Sequence, residues 1–120
     1  MDSFLRLKKN NDTLVLDIFG DEINSLEFDI HLRSIKAMRK FKKMFVNLEY
    51  LSDINNESIN KFLKMRAFLS DKIISFINVK PMQNVILNLF GIDKIFQIYI
   101  TKADAQEGKN PVVNRNFKVV

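Results

Sequence analysis

The chain has 120 residues, enough for one domain with little left for a second. Apolar residues make up 47% and charged residues 28%, with a net charge of +5, so a packed core is expected rather than disorder. The absence of cysteine and the single histidine, His31, exclude disulfides, thiolate catalysis, cysteine-ligated zinc and any multi-histidine metal site.

Phe4 to Lys8 reads as a short amphipathic strand, Lys9 to Asp12 as a turn, and Thr13 to Phe19 as a second strand closing a hairpin that stops at Gly20. Asn24 is placed to cap a helix, with Glu27 three residues on to complete a capping box. That helix runs to about Lys40, with Phe28, Leu32, Ile35 and Met38 on one face. Leu26, Ile30 and Ala37 fall on roughly the opposite face, so the helix is either sandwiched or holds one face for a partner.

Met44 to Leu48 is an unbroken apolar run of strand length, the pattern of a strand covered on both sides. Asn55-Asn56-Glu57-Ser58 opens a second helix containing Ile59, Phe62, Leu63, Met65 and Leu69. Ile73 to Val79 is another buried strand. Pro81 suits the first turn of a third helix, whose Met82, Val85, Ile86 and Leu89 recur at core-facing spacing, and Gly91 is its stop. Ile95 to Ile100 is a last strand, and Thr101 caps a short helix through about Glu107. Residues 108–120 form a tail whose Val112, Val113, Phe117 and Val119 are too apolar for an ordinary disordered end, so it packs on the domain at 1–107 or on another chain, a homo-oligomer included. Strands alternating with helices in this order predict an α/β domain: a mixed, mostly parallel central sheet with an N-terminal hairpin and about four helices.

Eleven Phe and no Trp leave Phe, Ile and Leu to fill the core. Lys36, Arg39, Lys40, Lys42 and Lys43 are the densest basic cluster, but they scatter around a helix and into a loop, the pattern of a solvated face and not of a nucleic-acid binder. Asp12, Asp17, Asp21 and Glu22 lack calcium-loop spacing and read as solvated turn residues. No glycine-rich phosphate loop is present, His31 between Ile30 and Leu32 reads as a packed or surface residue, and no cofactor is implied. Met1 to Asp12 holds no apolar run of signal-peptide length, and no stretch approaches the ~20 residues that span a bilayer, so a soluble cytoplasmic protein without membrane insertion is expected.

Four stretches, in order, resemble the STAS domain, the family named for sulfate transporters and anti-sigma factor antagonists. They are Ile18-Phe19-Gly20-Asp21-Glu22-Ile23, Phe45 to Leu51, Val79 to Ile86 with its Pro81, and Leu87 to Tyr99, where the family has Leu-x-x-x-Gly-Leu-x-x-x-Phe-x-Ile. The likeness runs from about residue 4 to residue 107. It implies a non-enzymatic protein-interaction module, anti-sigma factor antagonist-like, that binds an anti-sigma kinase or related regulator in bacterial partner switching.

The family's regulatory phrase, Ile-Asp-Ser-Ser-Gly-Leu, starts the second helix and carries the phosphoacceptor at its second Ser. Laid on Ile54 to Ile59, it puts Asn55 on the Asp, Asn56 on the first Ser, Glu57 on the phosphoacceptor and Ser58 on the Gly. Glu57 has no hydroxyl. It supplies about one unit of permanent charge where a phosphoserine carries about −1.5 to −2. The resemblance therefore implies a member fixed either in a docking or in a non-docking state. Equally, Glu in a first turn is favoured by the helix dipole alone, by about 0.3–1 kcal/mol. Ser58, one residue out of register, is either a displaced modification site or an ordinary helix-terminal residue. By resemblance the partner-binding surface comprises Tyr50, Ser52, Asp53, Asn55, Asn56, Glu57 and Ser58. The alternative is a STAS accessory subunit of a lipid-transport ABC-type ATPase, where loss of the phosphoacceptor fits equally well. A small enzyme is disfavoured because no nucleophile–base pair can be assembled.

Overall fold

A two-residue loop starts the fold. Asn11 takes φ 57°, the left-handed value a tight hairpin needs, and pairs β1 (Phe4–Asn10) with β2 (Thr13–Phe19) in the register Asn10–Thr13 through Phe4–Phe19. The computed structural model describes residues 3–38 and 40–112. Arg39, Val113, Phe117 and Val119 lie outside them.

After the hairpin come α1 (Ser25–Ala37), β3 (Lys43–Asn47), α2 (Asn56–Phe68), β4 (Ile73–Ile77), α3 (Pro81–Leu89), a 3-10 turn at Ile92–Lys94, β5 (Gln97–Ile98) and α4 (Lys102–Glu107). The sheet order is β1-β2-β3-β4-β5, antiparallel at β1/β2 and parallel thereafter. This is the mixed, mostly parallel α/β architecture that the strand–helix alternation predicts.

The strand period of two sorts the core into two clusters. Leu14, Leu16, Ile18, Met44, Val46, Ile74 and Phe76 pack with Phe28, Leu32 and Ile35 of α1, Ile59, Phe62 and Met65 of α2, and Leu87 of α3. Phe28, Phe62, Phe76 and Phe96 run through this layer as edge-to-face contacts with centroids 4.8–6.4 Å apart, the phenylalanine core that the composition implies. On the other face Val15, Phe45, Ile77 and Tyr99 form a smaller cluster capped by Ala105 of α4.

Several expectations are corrected. α1 stops at Ala37 and not near Lys40, because Met38 turns extended and its amide bonds the Ile35 carbonyl. Its capping box is half formed: Asn24 accepts from the Glu27 amide, but the Glu27 carboxylate instead accepts the Leu5 amide at 2.8 Å. Its second apolar face is not sandwiched, since Leu26 and Ile30 are exposed. β4 ends at Ile77, two residues before Val79, because Asn78 with its φ of 54° breaks the strand. β5 keeps only Gln97 and Ile98 of the six-residue run, because Ile95 and Phe96 belong to the turn that seats Phe96 against Phe76.

The largest correction is α3. Of the stripe Met82, Val85, Ile86 and Leu89, only Ile86 packs against the core; the other three face solvent, Met82 at 69% and Leu89 at 77% exposure, while Gln83 and Leu87 are the buried positions. Beyond α4, Gly108 adopts φ 67° and the Val112 amide bonds the Ile98 carbonyl at 2.7 Å, so the first residues of the tail pack on the domain.

Candidate functional site

The residues singled out by the sequence converge at the carboxyl ends of the parallel strands. Gly20 takes φ 116°, and a Cβ there would lie 2.4 Å from Ser3 Oγ, so only glycine fits. On its other side the segment after β2 zips against the segment after β3. The Gly20 amide donates to the Tyr50 carbonyl (3.1 Å), the Ser52 amide to Gly20 (2.9 Å) and the Asp53 amide to Asp21 (2.8 Å).

This platform presents the first turn of α2. Asn55 caps the helix: its Oδ1 accepts from the Ser58 amide at 2.9 Å and from the Ser58 hydroxyl at 3.0 Å. The Asn55 amide nitrogen of the backbone reaches back to Ser58 Oγ at 3.4 Å, and its side-chain Nδ2 donates to Glu22 at 2.7 Å. Ser58 is fully buried with its hydroxyl engaged in the cap. Asn56 and Glu57 are exposed, and Glu57 has no hydrogen bond or ion pair among the described residues. The tip therefore shows a free carboxylate at a helix N-terminus and hides its serine.

Two buried polar groups hold the platform from below. Gln83 of α3 donates from Nε2 to the carbonyls of Leu48 (3.0 Å) and Leu51 (2.7 Å), while its Oε1 accepts the Lys80 amide (3.0 Å). Lys80 Nζ adds a bond to Leu51 at 3.3 Å. Asn47, buried at the end of β3, donates to Asp17 (2.8 Å) and accepts from the Glu49 amide and from Asn78 Nδ2, both at 3.0 Å. Burial opposes ionisation of Asp17, but the hydrogen bonds from Asn47, Arg6 and Lys8 outweigh it and hold its carboxyl below the usual range.

Tyr50 ends an aromatic ladder. Phe4 stacks on Phe19 and Phe19 on Tyr50, with centroids 4.5 and 4.6 Å apart and planes within 4°, and the Arg6 guanidinium lies 5.0 Å from the Phe19 ring. The visible rim is acidic: Asp21, Glu22, Glu49, Asp53 and Glu57 surround the tip, with Lys80 beside them. Asp12 lies at the far end of β2 from Asp21, and Asp17 is spent on Arg6 and Lys8, so those carboxylates are not gathered. Among the described residues no group of three metal-ligand side chains assembles. His31 Nδ1 sits 3.0 Å from the Glu27 carbonyl within α1. Lys36 is tied to the Phe68 carbonyl, while Lys40, Lys42 and Lys43 are solvated, away from the tip.

Sequence reasoning brings Tyr50, Ser52, Asp53, Asn55, Asn56, Glu57 and Ser58 to one place and misses Gln83, Glu22, Lys80 and the Asp17–Asn47–Asn78 chain. The only local signal for Gln83 is its spacing, three residues after Lys80 in a Pro-initiated helix, where a side chain can return to the cap.

A mixed sheet with a leading hairpin, three helices on one face and this zipped loop pair is the fold of STAS domains. No family model matches the sequence, and no curated protein matches it. Among solved structures, a crystal structure of an anti-sigma factor antagonist from Mycobacterium paratuberculosis superposes at TM-score 0.79 with 15% identity, over 89% of this chain and 93% of the other. An anti-sigma factor antagonist (STAS) domain protein from Planctomyces limnophilus gives 0.73 and 15%, over 90% and 98%. SpoIIAA, a Bacillus cell fate determinant, in its phosphorylated form gives 0.63 and 15%, over 87% and 97%. No helix among the described residues is long and apolar enough to cross a membrane.

Proposed function

We propose that this chain is a docking module of the anti-sigma factor antagonist kind, which binds a regulatory protein, an anti-sigma kinase or its relative, through the α2 tip without a phosphate switch. The supporting observation is Glu57, an exposed and unpartnered carboxylate in the first turn of α2; by the resemblance of Ile54 to Ile59 to the family's regulatory phrase, it stands for the phosphoacceptor. Ser58 lies inside the cap, so phosphorylation there would first have to break the helix terminus. The role needs no covalent chemistry. The carboxylates of the rim set register against a basic partner surface.

Glu57→Ser tests this directly. It removes the fixed charge and restores a hydroxyl at the exposed position, at a cost to stability of about 0.3–1 kcal/mol. Affinity for a purified anti-sigma kinase encoded beside the gene is expected to change at least about tenfold, and the variant, unlike the wild type, should accept phosphate from that kinase. Unchanged affinity and no phosphate on the variant would overturn the reading. Binding to a neighbouring ABC-type ATPase subunit in place of the kinase would favour an accessory-subunit role, to which a missing phosphoacceptor is equally suited.

A further inference from the structure

From Pro81 to Phe90 the chain carries no charged residue, yet this is a surface helix. Its solvent side is Met82, Val85, Leu89 and Phe90, at i, i+3, i+7 and i+8, exposed by 69, 37, 77 and 50%. With side-chain areas of roughly 150–200 Å² each, these fractions leave on the order of 400 Å² of contiguous apolar surface in water, the size at which a patch on a monomer has a use. Other exposed helix faces are broken by charge: Arg66 stands three residues after Leu63 on α2, and Arg33 three residues after Ile30 on α1. α3 is the exception.

The helix is also tied to the α2 tip. Gln83 in its first turn and Lys80 at its N-cap hold the Leu48 and Leu51 carbonyls beneath the tip loop, which couples the start of α3 to the acidic rim. We infer that the exposed face of α3 (Met82, Val85, Leu89, Phe90) is the apolar half of the docking surface, and that a single protein partner covers it together with the α2 tip. The inference rests on the docking reading above. The partner's chemistry follows from the two halves: an apolar groove or helix face that receives the α3 side chains, bordered by Lys or Arg opposite Asp53 and Glu57.

A second copy of this chain fits poorly. Stable association needs about 800 Å² from each partner, twice what α3 offers. Extending a self-contact over the tip would set two acidic rims against each other. One heterologous partner bridging both halves adds the tip's surface to that of α3 and sets basic groups against the acidic rim.

The test places a photoreactive phenylalanine analogue in the full chain in place of Leu89 on α3, Asn56 at the tip, or Leu26 on the exposed face of α1, expressed in its native cell. The expected result is the same protein in the adducts from positions 89 and 56, and none from 26. Met82→Lys, at an exposed site where the circular dichroism and melting temperature should not change, is expected to lower both adduct yields about tenfold. An adduct at 56 that Met82→Lys leaves intact would reject the role of α3 while sparing the tip. An adduct at 89 with a second copy, with residues 113–120 of the same chain or with lipid would reject the assigned occupant. No adduct from either 89 or 56 would reject both the inference and the docking reading.

Discussion

At Asp17 a carboxylate is buried in a strand interior, a costly position unless its charge is satisfied. Asn47, Arg6 and Lys8 satisfy it, and through Asn47 and Asn78 the same network fixes where Glu49 and Tyr50 leave the sheet. Because its folded-state pKa lies below the ordinary aspartate value, Asp17 adds stability at pH above that value and loses it as pH falls through the folded pKa. Asp17→Asn is therefore expected to cost about 1–3 kcal/mol at pH 7 and to flatten the acid limb of a urea-denaturation profile below about pH 4. Arg6 and Lys8 are half in solvent, so part of that loss should shrink in high salt. An acid limb as steep in the variant as in the wild type would contradict the assignment.

Single elements show how one residue serves two neighbours. Glu27 has the spacing of a capping-box residue, but Asn24 caps α1 without its side chain, which leaves the carboxylate free to cross to β1. There it takes the Leu5 amide, a donor that β2 does not use and that faces the open edge of the sheet. Together with Lys8 and Lys9 this blunts an edge strand that would otherwise template pairing with another chain. Glu27→Ala should leave α1 capped, cost about 1–2 kcal/mol, and speed amide exchange at Leu5 while leaving the amide of Ile59 in α2 protected. Nuclear magnetic resonance exchange rates would decide it. The same element scale explains why α3 misleads: its apolar stripe has ideal helical spacing, but Gln83 turns inward to bond two loop carbonyls, which leaves Ile86 at the core and turns Met82, Val85 and Leu89 out to solvent.

Across the whole molecule the two faces of the sheet are unequal. Among the described residues, three helices and a core cluster of twenty-five buried residues lie on one face, whereas a cluster of five, Ala105 of the six-residue α4 included, lies on the other. Native-state hydrogen exchange should therefore show α4 opening at a lower free energy than α2, ahead of global unfolding. Equal protection of the two would mean that α4 is integral to the main core. Charge is unequal as well. The chain is net positive, yet the end that displays Tyr50, Asp53 and Glu57 is rimmed by carboxylates, a separation that steers a cationic partner toward one end.

Local periodicity is enough for the element order, for β2 to the residue, for the caps at Asn24 and Thr101, and for the start of α2 at Asn55 to Ser58, because helix starts and strand alternation are written within a few residues. The fold class followed from that order. Three things depended on tertiary contact: which side of α3 faces inward, where the Glu27 carboxylate goes, and that Ser58 is hidden while Glu57 is free. Each depends on a hydrogen-bond partner twenty or more residues away or on burial against another element, and neither leaves a trace in local spacing.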